Sequence, residues 1–409
     1  MKRKNIFKSL LAAAMALIMI FGAAPLSGFV GIRLPMLSLK AEAAITGTTE
    51  DGLFEYELDT YWPISDPRNG VRITRYKGPD SGEVVIPKTI GGYEVKWIGG
   101  RYSGAAVFQG FTGITSIVIP DSVISIGVST FSGCTSLAEI TVSPDNKNYS
   151  SVDGVLFNKD GSELIIYPKG NGRSAYTVPD GVTSISGSAF SGCTSLKEIV
   201  IPDSVTTIGS SAFEGCTSLS KVKLSNNLTI IEERTFYDCT SLAEIVIPDS
   251  VTEIRSNLDL GAFSGCTSLS KVDLPKKLTT IEAYTFSGCS SLESIVIPEG
   301  VTAIGTWLEY EKTYYSSSFS GCKSLKEIII PDSVTAIGDS AFYGCTSLSK
   351  LKLSNNLRII QERTFSGCTS LKEIVIPDSV TEIRGMCYSS GYDGDYDGGA
   401  FSGCTSLAE

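Results

Sequence analysis

The chain has 409 residues, 34 lysines and arginines against 44 aspartates and glutamates, and no histidine. A net charge of −10 makes it a poor partner for nucleic acid, and the missing histidine excludes Ser-His-Asp and Cys-His catalysis and any His-ligated metal centre. Carboxylates, hydroxyls, thiols and tyrosines remain, and no cofactor is expected. In chain order, the first element is the basic head "MKRKNIFK", then the apolar run "SLLAAAMALIMIFGAA", then a small-x-small site at Ala41, Glu42 and Ala43. This is the pattern of a secretory signal over residues 1–43. An uncleaved membrane anchor is the alternative, but the run is short for a span and no later stretch could cross a bilayer. Residues 1–43 carry six Lys/Arg and one Glu, so their removal takes the net charge from −10 to −15. The expected localisation is secreted or cell surface.

Residues 44–81 contain "FEYELDTYW" and "VRITRY", which alternate like strands around the turn residues "DPRNG". They predict a small β cap over the first open turn of a repeat array. That array occupies residues 82–409. Ten of the eleven cysteines stand three residues after a phenylalanine, with a basic step of 23 and longer steps of 27, 33, 36 and 59, each read as 23 plus an insert. Phe111 takes the cysteine place 23 residues before Cys134. A fixed period of this size predicts a mainly β solenoid of about a dozen turns, not a set of separate domains.

One turn reads "AFSGCTSLKEIVIPDSVTTIGSS", residues 189–211. Strand alternation places Leu196, Ile199 and Ile201 inward and Glu198 and Val200 outward. Pro202 ends the strand, "PDS" turns, Val205 and Ile208 return inward, Gly209 bends the chain, and Phe213 with Cys216 closes the coil. A single turn cannot offset the entropy of ordering 23 backbones, so stacking is required. Leu196, Leu219, Leu242, Leu269 and Leu292 should form one buried row. The outward positions Glu198, Lys221, Glu244, Lys271, Ser294, Glu327, Lys350 and Glu373 alternate in charge, a ladder that fixes turn-to-turn order more readily than it makes a ligand strip.

The pattern L-x-x-I-x-I resembles leucine-rich repeats. With Pro or Ser directly after the strand, "AF-x-x-C-x-x-L" and the 23-residue step, it resembles the BspA-type leucine-rich repeats of bacterial surface proteins over about residues 82–409. The stretch "SPDNKNYSSVDGVLFNKDGSELIIYPKG" also resembles an insert of that family. The resemblance implies a right-handed coil with a parallel sheet on one face, and a role in surface attachment or binding without catalysis.

Inserts decorate the array. Residues 143–176 hold a hairpin around Asn158, Lys159, Asp160 and Gly161, expected to project from the side of the coil. Residues 193–255 and 322–384 match almost letter for letter at an offset of 129, so the array grew by copying blocks of turns. Three further inserts, at 255–261, 305–318 and 384–399, share one slot between the return strand and the next phenylalanine. They should emerge along one edge, spread over about 24 Å at about 4.8 Å per turn. Their Trp307, Tyr310, Tyr314, Tyr315, Tyr388, Tyr392 and Tyr396 are the candidate ligand-binding residues, since loops on a rigid scaffold commonly carry binding. Asp393, Asp395 and Asp397, followed by Gly398, have the opening of a calcium loop, although the twelfth position is Cys404 rather than an acid. The in-phase cysteines are expected to be free buried thiols, and Cys387, out of phase, to be exposed in an insert.

The expected function is a non-enzymatic exported scaffold, an adhesin or recognition protein for extracellular protein or glycan. The alternative is an accessory array of a longer secreted enzyme whose catalytic segment lies beyond residue 409. The phrase "FSGCTSLAE" at 401–409 runs on into a strand where it first stands, at 131–139, which predicts a truncated C-terminus prone to end-to-end self-association.

Overall fold

Residues 45–59, 69–100, 107–257, 260–305, 316–385 and 398–408 are described by a computed structural model. Over them the chain is a β-solenoid with turns about 23 residues apart, and among the described residues there is no helix. Each regular turn crosses three hydrogen-bonded rows. In the first, the strand Glu198–Val200 pairs in parallel with Lys221–Lys223, Glu198 opposite Lys221. In the second, the return strand Thr207–Ile208 pairs in parallel with Ser184–Ile185. The third row is irregular backbone around the phenylalanines. Ser188 N–H donates to Ser210 O (3.0 Å), Phe190 N–H to Ala212 O (2.8 Å) and Gly192 N–H to Glu214 O (2.7 Å), and later turns repeat this arrangement. All three rows satisfy backbone groups that would otherwise be buried without partners.

The apolar face of each turn lies inside these rows. Leu196, Leu219, Leu242, Leu269 and Leu292 are all buried in one line, as the strand alternation requires. The phenylalanine rings form a continuous stack, with centroids 5.0 Å apart for Phe190 and Phe213 and 5.6 Å for Phe365 and Phe401. Such offset aromatic pairs add about 0.5–1.5 kcal/mol each beyond the area they bury.

Two local readings of the turn need correction. Gly209 does not bend the chain. The left-handed residue is Ser211 (φ 59°), and the same place holds Ser188, Arg234, Tyr284, Ser340 and Arg363. Gly209 is needed for close approach, because a Cβ there would stand 2.4 Å from Gly187 N. Val200 is half-buried rather than fully outward, whereas Val246, Val296 and Ile329 on the same face are exposed. The charge ladder is in register: Glu244 stands opposite Lys271 and Glu327 opposite Lys350, the last pair 3.5 Å apart. Being exposed, each pair contributes about 0.2–1 kcal/mol at most.

At the N-terminal side, the antiparallel strands Ile45–Thr48, Phe54–Asp59 and Gly70–Tyr76 join the solenoid because the third pairs in parallel with Tyr93–Ile98, which in turn pairs with Ser125–Ile126. Tyr76 starts the aromatic row, 5.3 Å from Phe108.

The segment expected to project as a hairpin instead lies within the coil. Tyr149–Val152 and Val155–Asn158 pair across Asp153 and Gly154, both with positive φ (52° and 81°), the two-residue turn that twists with its strands. Val155–Asn158 pairs with Glu163–Ile166, which joins the return row beside Ser184–Ile185. Val155, Leu156, Phe157, Leu164 and Tyr167 are buried. Tyr167 occupies a phenylalanine place, its ring 4.9 Å from Phe190 and its carbonyl facing the Cys193 thiol. The 59-residue step between Cys134 and Cys193 is therefore two turns, one lengthened and one regular, rather than one turn with a large insert. The physical reason is apolar content: five buried side chains have more to gain inside than on a projecting arm.

This lengthened turn divides the hydrophobic interior in two. Alternate residues of Val155–Asn158 point to opposite sides, Leu156 into a core reaching back to Phe54, Val155 and Phe157 into one reaching forward to Ala400.

Candidate functional site

The three edge inserts spring from the ends of the return strands Glu253–Ile254, Ala303–Ile304 and Glu382–Ile383. The return strands Thr280–Ile281, Ala336–Ile337 and Ile359–Ile360 lie between them, which puts the stems two and three turns apart on one edge. The first insert closes with a bridge between Ser256 and Gly261. Trp307, Tyr310, Tyr314, Tyr315, Tyr388, Tyr392 and Tyr396 lie outside the described residues, as do Asp393, Asp395, Asp397 and Cys387. Among the described residues no group of three Cys, Asp or Glu comes together as a metal site.

The same edge carries a difference between the two copied blocks. In the first, Ser210 Oγ donates to Glu233 Oε1 at 2.8 Å. In the second, Asp339 stands in place of Ser210, with Glu362 in place of Glu233. Partial burial and the Glu362 charge push the Asp339 carboxyl up to about 6, although Arg384 works against them.

The ten described cysteines are free; nine are buried and Cys404 is half-buried. Each thiol donates to the carbonyl of the aromatic residue one turn earlier. Cys216 Sγ lies 3.0 Å from Phe190 O, Cys239 3.2 Å from Phe213 O and Cys289 3.2 Å from Phe263 O. Burial pushes Cys216 and Cys266 up to about 12 and Cys134 to about 11. Thiols held this far from ionisation are packing groups, not nucleophiles.

The strand face presents Val246 (64% exposed), Val296 (82%), Ile329 (54%) and Val375 (81%) among charged neighbours. These are separated aliphatics, of the kind a solvated sheet normally shows.

The most distinctive local geometry was not foreseen from sequence. At the lengthened turn the rows are interrupted, and the insert itself closes two of them. Tyr149 Oη accepts from Ile126 N–H at 3.1 Å in the return row. Gly154 O accepts from Ile140 N–H at 2.9 Å, and Ser151 Oγ from Val142 N–H at 3.0 Å, in the strand row. Buried Asn146 ties the same loop to Pro120 O and Val123 O. Further along, Gly170 N–H donates to Leu137 O at 2.8 Å, and a Cβ on Gly170 would meet Ser136 at 2.3 Å. The aromatic row alone stays open. Phe131 stacks on Phe108 at 5.7 Å, and Tyr167 stacks on Phe190, but Phe131 and Tyr167 do not meet. Between them is a cleft of about 440 Å³, lined by Val128, Phe131, Ile166, Tyr167, Lys169 and Ser188 among others. On the strand face at the same break is a shallow polar hollow of about 510 Å³, with Glu139, Asp153 and Arg173 in its walls. Two sequence features accompany this place without deciding it: Tyr167 lies one period before Phe190, and Asp153-Gly154 is a hairpin dipeptide.

The BspA type leucine rich repeat region matches residues 102–170, 172–258, 257–314 and 308–392, in six copies. The chain belongs to this family. Two solved structures are similar to this BspA-type chain. One is a leucine rich cell surface protein from Faecalibacterium prausnitzii A2-165, 29% identical, with a TM-score of 0.54 over 90% of this chain and 88% of that one. The other is a leucine-rich repeat protein from Bacteroides ovatus ATCC 8483, 26% identical, with a TM-score of 0.50 over 80% of this chain and 88% of that one. No curated protein matches the chain. The family and these neighbours are repeat scaffold proteins. Among the described residues no helix is long and apolar enough to cross a membrane.

Proposed function

We propose that this BspA-type chain is an exported, non-enzymatic binding scaffold displayed at the cell surface, where it acts as an adhesin toward extracellular protein or glycan. The observation that carries the reading is the likeness, over nine-tenths of the chain, to a leucine rich protein described as a cell surface protein. The basic-then-apolar head before Ala43 supports export. The histidine-free composition and the thiols held far from ionisation suit a scaffold rather than a catalyst.

In this reading the edge inserts supply the contact surface. Trp307, Tyr310, Tyr314, Tyr315, Tyr388, Tyr392 and Tyr396 offer flat rings for stacking on sugars or partner side chains, on stems held by the return strands. The test is a glycan array together with a protein-binding screen of the chain, repeated after Tyr314, Tyr315, Tyr392 and Tyr396 are changed to Ser. Binding should be lost while the fold and its unfolding midpoint stay unchanged. Unchanged affinity would move the site to the strand face around Val246, Val296 and Ile329.

A further inference from the structure

The aromatic row is a hydrogen-bonded ladder with one internal rung missing. In regular turns, the phenylalanine N–H and the N–H two residues later donate to the following turn. Phe108 donates to Thr130 O at 3.0 Å and Gly110 to Ser132 O at 3.4 Å; Phe213 donates to Thr235 O at 2.9 Å and Gly215 to Tyr237 O at 2.8 Å. At the break, Phe131 and Gly133 occupy these donor places, and their N–H groups have no acceptor among the described residues. The lengthened turn provides substitutes for the other two rows but none for this one. Unpaired donors at every second residue are what an edge strand offers to an incoming chain.

The walls of the cleft say what that chain should carry. Phe131, 5% exposed, stacks on Phe108 and has no ring stacked on the side of Tyr167. Val128 is 91% exposed, and Ile126, Ile165 and Ile166 are half-buried beside it. Lys169 is the only charged residue among those lining the cleft, and it has no ion-pair partner among the described residues. Its positive charge stands out on a chain whose net charge is −10. We propose that the cleft between Phe131 and Tyr167 binds an extended peptide of another protein, with a small–aromatic–acidic sequence, as one more rung of the aromatic ladder. Its carbonyls accept from Phe131 and Gly133, its ring packs at Phe131, and its carboxylate faces Lys169. A cleft of about 440 Å³ accommodates one aromatic side chain and the short stretch of backbone that carries it. This site is separate from the edge tyrosines and does not depend on them.

The chain contains a template for the probe. Residues 210–215, Ser-Ser-Ala-Phe-Glu-Gly, supply the carbonyls that accept from Ser188, Phe190 and Gly192 in a regular turn. The acetylated, fluorescein-labelled peptide of this sequence is titrated against the full chain by fluorescence anisotropy. Hydrogen exchange is read at the amides of Phe131 and Gly133. Saturable binding is expected, with both amides exchanging fast in the free chain and slowing when peptide is bound. Val128→Glu and Lys169→Glu, both at accessible side chains, should each weaken binding at least about tenfold at an unchanged unfolding midpoint, as should replacing the peptide's Phe by Ala. No saturable binding up to about 1 mM overturns the proposal. So does binding that the two variants leave unaltered. Amides already protected in the free chain would also overturn it, since the rung would then be filled by the chain itself. None of these outcomes bears on binding by the edge inserts.

Discussion

Residues 167–401 and residues 131–167 use the same aromatic place, yet the first run stacks without interruption and the second leaves its rings apart. The first run tolerates inserts of several lengths, because each leaves and rejoins at the same edge and the three rows close beneath it. The second run places its extra residues inside the coil, as a strand with one face in each core. Where extra chain enters a solenoid therefore matters more than how much enters. An insert at the edge decorates the array, whereas one between two rows divides it.

Thiol chemistry gives the largest contrast between the two regions. Cys266, in the continuous run, is pushed from 9.0 to about 12, which at neutral pH leaves about a thousandfold less thiolate than in the unfolded chain. Cys134, at the break, rises only to about 11 and lines the cleft. Labelling with a disulfide reagent at pH 8 should therefore modify Cys134 faster than Cys266, with full labelling of both in denaturant. Equal rates would mean the interior is no more open at the break than in the run.

The aromatic stack gives the next contrast. Phe236→Ala removes a ring packed on both sides and should cost about 3–5 kcal/mol in chemical denaturation. Phe131 packs on one ring only, so Phe131→Ala should cost less by about 0.5–1.5 kcal/mol, the value of one aromatic pair. If the two variants cost the same, the missing rung has no energetic meaning.

The copied blocks sharpen the point at a single position. The folded-state value of Asp339, about 6, lies above its unfolded value near 3.8, so the folded chain binds that proton more tightly. Its contribution to stability is then greatest below pH 4 and is lost as pH rises through about 6. Asp339→Ser restores the arrangement of Ser210 with Glu233, and should stabilise the chain at pH 7 but not at pH 4, as read from unfolding midpoints. A gain of the same size at both pH values would remove titration as the cause. The smallest effect belongs to the exposed ladder, where Lys221→Glu, facing Glu198, should cost about 0.2–1 kcal/mol at low salt and less at high salt.

The step of 23, the buried leucine row, the inward thiols and the register of the charge ladder are all legible in the letters. A repeat states them many times, and strand alternation leaves one arrangement for side chains such as Leu196, Ile199 and Cys216. The edge slot of the three inserts is legible for the same reason, because the return strand and the next phenylalanine bracket it each time. The break is not legible. Turn residues around Asp160 mark a hairpin, but turn residues do not say whether the strands they join lie inside or outside. Phase alone could not show that Tyr167 replaces phenylalanine, because tyrosine fits a surface or a core according to what its hydroxyl meets; here Asn171 Oδ1 accepts from it at 3.1 Å. Local sequence determined the turn, since each turn is a short-range pattern of apolar and polar residues. Only the tertiary structure decided where the ladder lacks a rung, because an unpaired N–H is a property of the neighbour that fails to arrive, and no residue records that in its own side chain.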